Sequence, residues 1–166
     1  MNEDRKGHAF HGHTVEGECL PLKTSPSPLK TSRLTWEQYA LELARTASLR
    51  SEDPYHAVGT ALLRADHTVA ALGYNGAPPG VEIDWTDRDK RRKFVIHAEN
   101  NALRYVAPGE VALMASSMMP CWDCILLAAT YRIPRLVYGE ELDSTVYDIP
   151  LTKRLAADCG IVLEKI

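Results

Sequence analysis

Apolar positions along the chain fall into two rhythms. From Trp36 onward, Trp36, Tyr39, Ala40, Leu43, Ala44 and Ala47 recur at the spacing of one helix face. Thr35 stands just ahead of this run with Gln38 three positions later, a capping-box pair, and Pro54 in "RSEDP" opposes continuation. The spacing therefore predicts a first amphipathic helix that ends before the proline. "HAVGTALLR" and "VAALGYN" then change the rhythm to short apolar runs around a polar turn at 65–68, the signature of a hairpin. Beyond them, predicted helices over 97–106, 121–132 and 151–159 alternate with predicted strands over 111–116, 135–138 and 161–165. Such alternation predicts a layered α/β domain with part of its sheet parallel. The stretch 76–94, rich in Gly, Pro and charge, reads as a long loop of the kind that carries function.

Residues 1–33 lack either rhythm. They hold few large apolar side chains and include "KTSPSPLKTS", a composition that cannot bury enough surface to offset its ordering entropy. The expectation is a flexible tail ahead of one folded domain over 34–166. Within that tail "HAFHGH" offers His8, His11 and His13, readable as metal ligands or as solvated side chains. A length of 166 residues with 45% apolar content suits a single domain. The net charge of -3 provides no basic field for a polyanion, which weighs against a nucleic-acid partner. The four cysteines, Cys19, Cys121, Cys124 and Cys159, are too sparse for a disulfide framework. Cys159 reads as a core or near-core thiol and Cys19 as a tail residue. With neither a signal-like segment nor an apolar run of about 18 residues, the expectation is a soluble cytoplasmic protein that does not span a membrane.

The chemistry concentrates in "HAENNAL", from His97, and "PCWDC", from Pro120. Cys121 and Cys124 at a helix start lie one turn apart, within reach of one ion, and His97 adds a nitrogen of the kind zinc prefers. Three protein ligands leave a position for water, as catalytic zinc sites do and closed structural sites do not. Glu99, in the same turn as His97 and not needed as a ligand, can carry protons between water and a leaving group. Standing alone, the Cys pair would suit redox chemistry equally. Together with His97 and Glu99, and with Pro120 directly before the first cysteine, it matches the zinc deaminase pattern H-x-E followed by P-C-x-x-C.

On these motifs, from Trp36 to the end, the chain resembles the cytidine and deoxycytidylate deaminase superfamily. The resemblance implies a three-layer α/β/α sandwich around a mixed sheet of about five strands, with Zn2+ between two helix N-termini. "SLRSEDPYHAVGTALL", "ALGYNGAPPG" and "HAENNAL" look most like deoxycytidylate (dCMP) deaminases. That likeness implies Glu99 as the catalytic acid and base, His97, Cys121 and Cys124 as metal ligands, and a small-molecule nucleotide as substrate. It places Asn75 on the sugar hydroxyl and Arg50 with Ser51 near the phosphate. Ala98 and the backbone from Ser117 to Pro120 would face the amino or oxo group of the base. The null alternative for Asn75 is the turn that Asn and Gly favour in any case.

Departures from the pattern are specific. Where nucleotide-monophosphate relatives carry lysine after the Arg-Ser pair, this chain has Glu52, and the loop after "GYNG" reads "VEIDW" in place of "CSD"-like residues. Allosteric control by deoxynucleoside triphosphates is therefore not carried over. The loop also holds Arg88, Lys90, Arg91, Arg92 and Lys93, either a solvated face or, in part, a grip on substrate phosphate that would also suit dCTP. A modified nucleotide, a guanine-type base, tRNA adenosine and a non-catalytic zinc-binding role stay open as alternatives. The superfamily assembles as dimers or larger, so a homo-oligomer is expected, although burial inside one subunit would account for the apolar "CILLAATY" helix as well.

Overall fold

The capping box forms as predicted: Thr35 Oγ1 accepts from the Gln38 amide at 3.2 Å and Gln38 Oε1 accepts from the Thr35 amide at 3.0 Å. It starts helix α1, Trp36–Ser48, whose buried face is Ala40, Leu41, Ala44 and Ala47. The computed structural model describes residues 32–141 and 147–166. The expectations for the N-terminal tail, with His8, His11, His13 and Cys19, lie outside them.

After α1 come β1 (Gly59–Leu63), β2 (Val69–Tyr74), α2 (Arg88–Phe94), α3 (Ala98–Leu103), β3 (Leu113–Met118), α4 (Trp122–Thr130), β4 (Arg135–Glu140), α5 (Ile149–Asp158) and β5 (Val162–Lys165). The strands form one five-stranded sheet in the order β2-β1-β3-β4-β5. β1 runs antiparallel to β2 and β3, while β3, β4 and β5 are parallel, so the sheet is mixed as expected. Each parallel step is bridged by a helix, α4 and then α5, because parallel neighbours need a crossover.

Two apolar clusters lie on opposite faces of the sheet. Ala40 and Ala44 of α1 pack on Ala61, Leu63, Leu113, Ala115 and Val137. Ala102, Leu103, Ile125, Ala128 and Ala156, from α3, α4 and α5, pack on Leu62, Met114 and Leu136. The result is the three-layer arrangement, and each fully buried Leu, Ile or Met in it contributes about 1.5–3 kcal/mol. Two glycines let helices sit close to strands. A Cβ at Gly59 would meet the Ala44 carbonyl oxygen at 2.0 Å, and one at Gly73 would meet Ala98 O at 2.4 Å and Ala102 N at 2.6 Å.

Two expectations are corrected. The end of the 76–94 loop is a helix, α2, capped by Asp87, which accepts from the amides of Asp89 and Lys90. It has no buried residue and so no apolar rhythm to betray it. Cys159 is exposed at the C-cap of α5. Of the two accounts the sequence left open for the "CILLAATY" helix, burial within the chain holds, since Cys124, Ile125 and Ala128 are buried and Leu127, Ala129 and Tyr131 pack on the core, leaving Leu126 exposed. Among the described residues no helix is long and apolar enough to cross a membrane.

Candidate metal centre and substrate cavity

Two helix starts meet on the face of the sheet opposite α1. His97 is the N-cap of α3 and Cys121 the N-cap of α4, both with extended backbone and neither making a side-chain cap bond. Their side chains are thus directed to each other and not to their own helices. Cys124, one turn into α4, is buried beside them.

His97 Nδ1 lies 3.3 Å from Cys124 Sγ and 3.5 Å from Cys121 Sγ, and the two sulfurs are 3.6 Å apart. Tetrahedral zinc, with Zn–S of about 2.3 Å and Zn–N of about 2.0 Å, separates sulfurs by about 3.8 Å and sulfur from nitrogen by about 3.5 Å. The trio therefore fits one zinc ion. Among the described residues it is the group of metal-ligating side chains that comes together, all three ligand atoms lying within 4.8 Å of one another.

Proximity also redistributes protons in the trio. The hydrogen bond shared with Cys124, followed by the hydrogen bond and charge of His97, pulls the Cys121 thiol down to about 4. The hydrogen bond shared with Cys121, together with burial, pushes the Cys124 thiol upward. The hydrogen bond to Cys121 raises His97 to about 9, with the charges of Glu99 and Cys121 adding to it. Glu99 is buried at 3% exposure, and burial holds its carboxyl above the usual carboxylate range. Its Oε1 accepts from Ser116 Oγ at 3.2 Å. The period of two along β3 puts Ser116 on the same face as Met114, the face against α3.

The centre opens into a cavity of about 430 Å³, within the range of small-molecule sites. His97, Ala98, Glu99, Cys121 and Asn75 line it. Asn75 is buried and nearly spent: Oδ1 accepts from Ser51 Oγ at 2.6 Å and the Val58 amide at 2.8 Å, and Nδ2 donates to the His56 carbonyl at 2.8 Å. One amide hydrogen is left for a ligand. Asn75 thus holds the 51–58 loop in place whatever else it does. Arg50 is exposed, Ser51 is bonded to Asn75, and neither forms part of the cavity wall; Ser117 and Pro120 are buried beside it, not on it. Ser117 Oγ instead accepts from the Gly59 amide at 3.0 Å.

Sequence reasoning missed two contributors. Ser116 sits on an interior strand, where nothing in the pattern distinguishes it from filler. Trp122, partly exposed, lines the cavity, although the motif alone gave it no role. Arg88, Arg91 and Arg92, which the sequence offered as either a solvated face or a phosphate grip, line it too, from a helix the sequence reading did not predict. The Asp87 cap with basic residues in the last turn was the signal that could have revealed their helix.

The family model described as the cytidine and deoxycytidylate deaminase zinc-binding region matches residues 34–140. The chain belongs to that family. Among its relatives, the probable deoxycytidylate deaminase of Caenorhabditis elegans is 29% identical over 118 residues, 66% of this chain and 60% of that protein. The deoxycytidylate deaminase of Mycobacterium phage D29 is 33% identical over 127 residues, 66% of this chain and 98% of that protein. The chain spans 60 to 66% of the length of the animal relatives from C. elegans, Mus musculus and Homo sapiens. In fold, it is similar to the cyanophage S-TIM5 dCMP deaminase solved with dCMP and dUMP, with a TM-score of 0.65 at 23% identity, covering 81% of this chain and 99% of that one. The Aspergillus oryzae Rib2 deaminase shares the fold at 13% identity, with a TM-score of 0.56 and coverage of 80% and 85%.

Proposed function

We propose that the protein is a zinc-dependent hydrolase that converts dCMP and water to dUMP and ammonia. The observation that carries this reading is the placement of a buried, non-ligand carboxylate, Glu99, beside three ligand atoms spaced for one zinc ion, with both opening on one cavity. The similarity to deoxycytidylate deaminases supports the choice of substrate.

His97, Cys121 and Cys124 would hold the metal, which supplies Lewis acidity that brings a water's pKa to about 7. Glu99 takes a proton from the attacking water and passes it to ring nitrogen N3 as the oxygen adds to carbon 4. It then takes the proton of the new C4 hydroxyl and delivers it to the amino group as the C4–N4 bond breaks, which leaves the C4 carbonyl of dUMP and free ammonia. A carboxyl raised by burial suits this shuttle, because accepting and releasing a proton are then closer in free energy near neutral pH. The Ser116 hydroxyl fixes Oε1 and leaves Oε2 to move the protons. The Trp122 ring offers an apolar surface for the base, and the remaining Asn75 amide hydrogen a donor to the sugar.

The same proposal includes a cytoplasmic setting, since the Cys121 and Cys124 ligand pair requires reduced thiols. It also includes self-association: Val69, Leu72 and Tyr74 are exposed on edge strand β2, an apolar edge that a second copy would cover. Incubating the zinc-loaded protein with dCMP, CMP, cytidine and dCTP, and following the ultraviolet change from cytosine to uracil, tests the function. Preferred turnover of dCMP is expected; inactivity on all of them contradicts it.

A further inference from the structure

The basic residues of α2 are sorted by the helix itself. Arg88, Arg91 and Arg92 stand at i, i+3 and i+4, one face of a helical turn, and all three line the cavity. Lys90 and Lys93 do not line it, and Lys90 is paired with Asp87 at 3.3 Å. Among the described residues, Arg45, Arg64, Arg135 and Arg154 each have a carboxylate partner, whereas the three arginines of the cavity, like Arg33, Arg50, Arg104 and Arg132, have none; what sets the three apart is that they share one cavity wall. Three guanidinium groups brought to one wall with no carboxylate in ion-pair contact repel one another, a cost that a bound anion lowers.

Arg91 is positioned for such a ligand. Its guanidinium carbon lies 4.2 Å from the centroid of the Tyr55 ring, a stack that fixes the plane of the fork and leaves its in-plane N–H donors available. The backbone at Tyr55 is held in turn, because Asp53 Oδ1 accepts from the amides of Tyr55 and His56 at 2.9 and 3.0 Å. The acids on the wall are engaged elsewhere: Asp53 in that turn, Asp148 as the cap of α5 through the Leu151 amide, and Glu99 at the metal centre. Asp123 lies in the first turn of α4, where its charge acts on His97.

We propose that Arg88, Arg91 and Arg92 form the subsite for the 5′-phosphate of the nucleotide, so that α2, and not the Arg50–Ser51 loop, makes the site select a nucleotide over a nucleoside. The proposal rests on the functional reading above for the identity of the base, but the phosphate subsite is measurable without turnover. Arginine forks grip phosphate oxygens in pairs, and the metal centre and the arginines share one cavity, so a ligand with its base at the first can reach the second.

The test is calorimetric binding of dUMP and of deoxyuridine to the zinc-loaded full chain and its variants. Arg88→Ala and Arg92→Ala are each expected to weaken dUMP binding by about tenfold or more while changing deoxyuridine binding by less than about twofold. Lys93→Ala removes the same charge from the same helix away from the cavity and is expected to leave both affinities unchanged. α2 has no buried residue, so the substitutions spare the core, and unchanged zinc content verifies this. The subsite is refuted by wild-type protein that binds dUMP no better than deoxyuridine, by arginine variants that keep dUMP affinity, or by a Lys93→Ala loss as large as theirs. Failure of the functional reading looks different: no cytosine compound is turned over, whatever the dUMP affinities.

Discussion

At Glu99 two influences oppose each other: burial disfavours its charge, and the neighbouring His97 favours it. A carboxyl in that position can alternate between proton acceptor and donor, which a fully solvated one does poorly. Glu99→Gln keeps the shape and removes the shuttle, so it is expected to retain about one zinc per chain and lose about 10²–10⁴-fold in kcat. Cys124→Ala is expected to lose the metal; both are read by elemental analysis alongside turnover. Protons on the ligands set the pH dependence of metal uptake. His97 keeps its proton until pH rises through about 9, and the Cys124 thiol is raised as well, whereas zinc takes a neutral imidazole and a thiolate. Zinc binding at neutral pH is therefore expected to release roughly two protons and to weaken on acidification. Calorimetry in buffers of different ionisation enthalpy counts them, and a count of zero contradicts the assignment.

Elements differ in how far the sequence announces them. α1 was legible because its cap and its apolar face are both local, and the hairpin because its turn is polar between two apolar runs. The metal trio was legible for the same reason: its members start two helices and their spacing is a property of the chain. α2 was not, because a helix without buried residues leaves only its cap as a trace. Neither were the partners of Asn75, which lie 17 to 24 residues away, nor the contact of Ser116 with Glu99, since both exist only once the sheet is assembled. Gly73 shows how an element positions the site. A Cβ there would strike the backbone of α3 at Ala98 and Ala102, so Gly73→Ala is expected to push α3 outward. The expected result is a stability loss of about 1–3 kcal/mol in denaturant titration together with weaker zinc binding.

Across the whole molecule, the metal joins helices that the chain separates: His97 precedes α3 on one side of β3, and Cys121 and Cys124 start α4 on the other. Both helices pack on the same core, so the ligands are arranged by the fold and the ion then ties the helices together. Binding only to the folded state stabilises it by mass action, by about 2.7 kcal/mol at a hundredfold excess over Kd. Removing the metal with a chelator is expected to lower Tm, and restoring zinc to raise it in a concentration-dependent way; a Tm indifferent to zinc would place the ion elsewhere. The acids and bases of the surface nearly balance, at a net charge of -3, so the positive wall of the cavity is a local feature that overall charge does not reveal.

X-ray absorption at the zinc edge, on the purified protein and on Glu99→Gln, tests the central claim most directly. The account predicts two sulfurs at about 2.3 Å and two nitrogen or oxygen atoms at about 2.0–2.1 Å, with the same shell in the variant. A third sulfur, or a shell that changes when Glu99 is replaced, would contradict it.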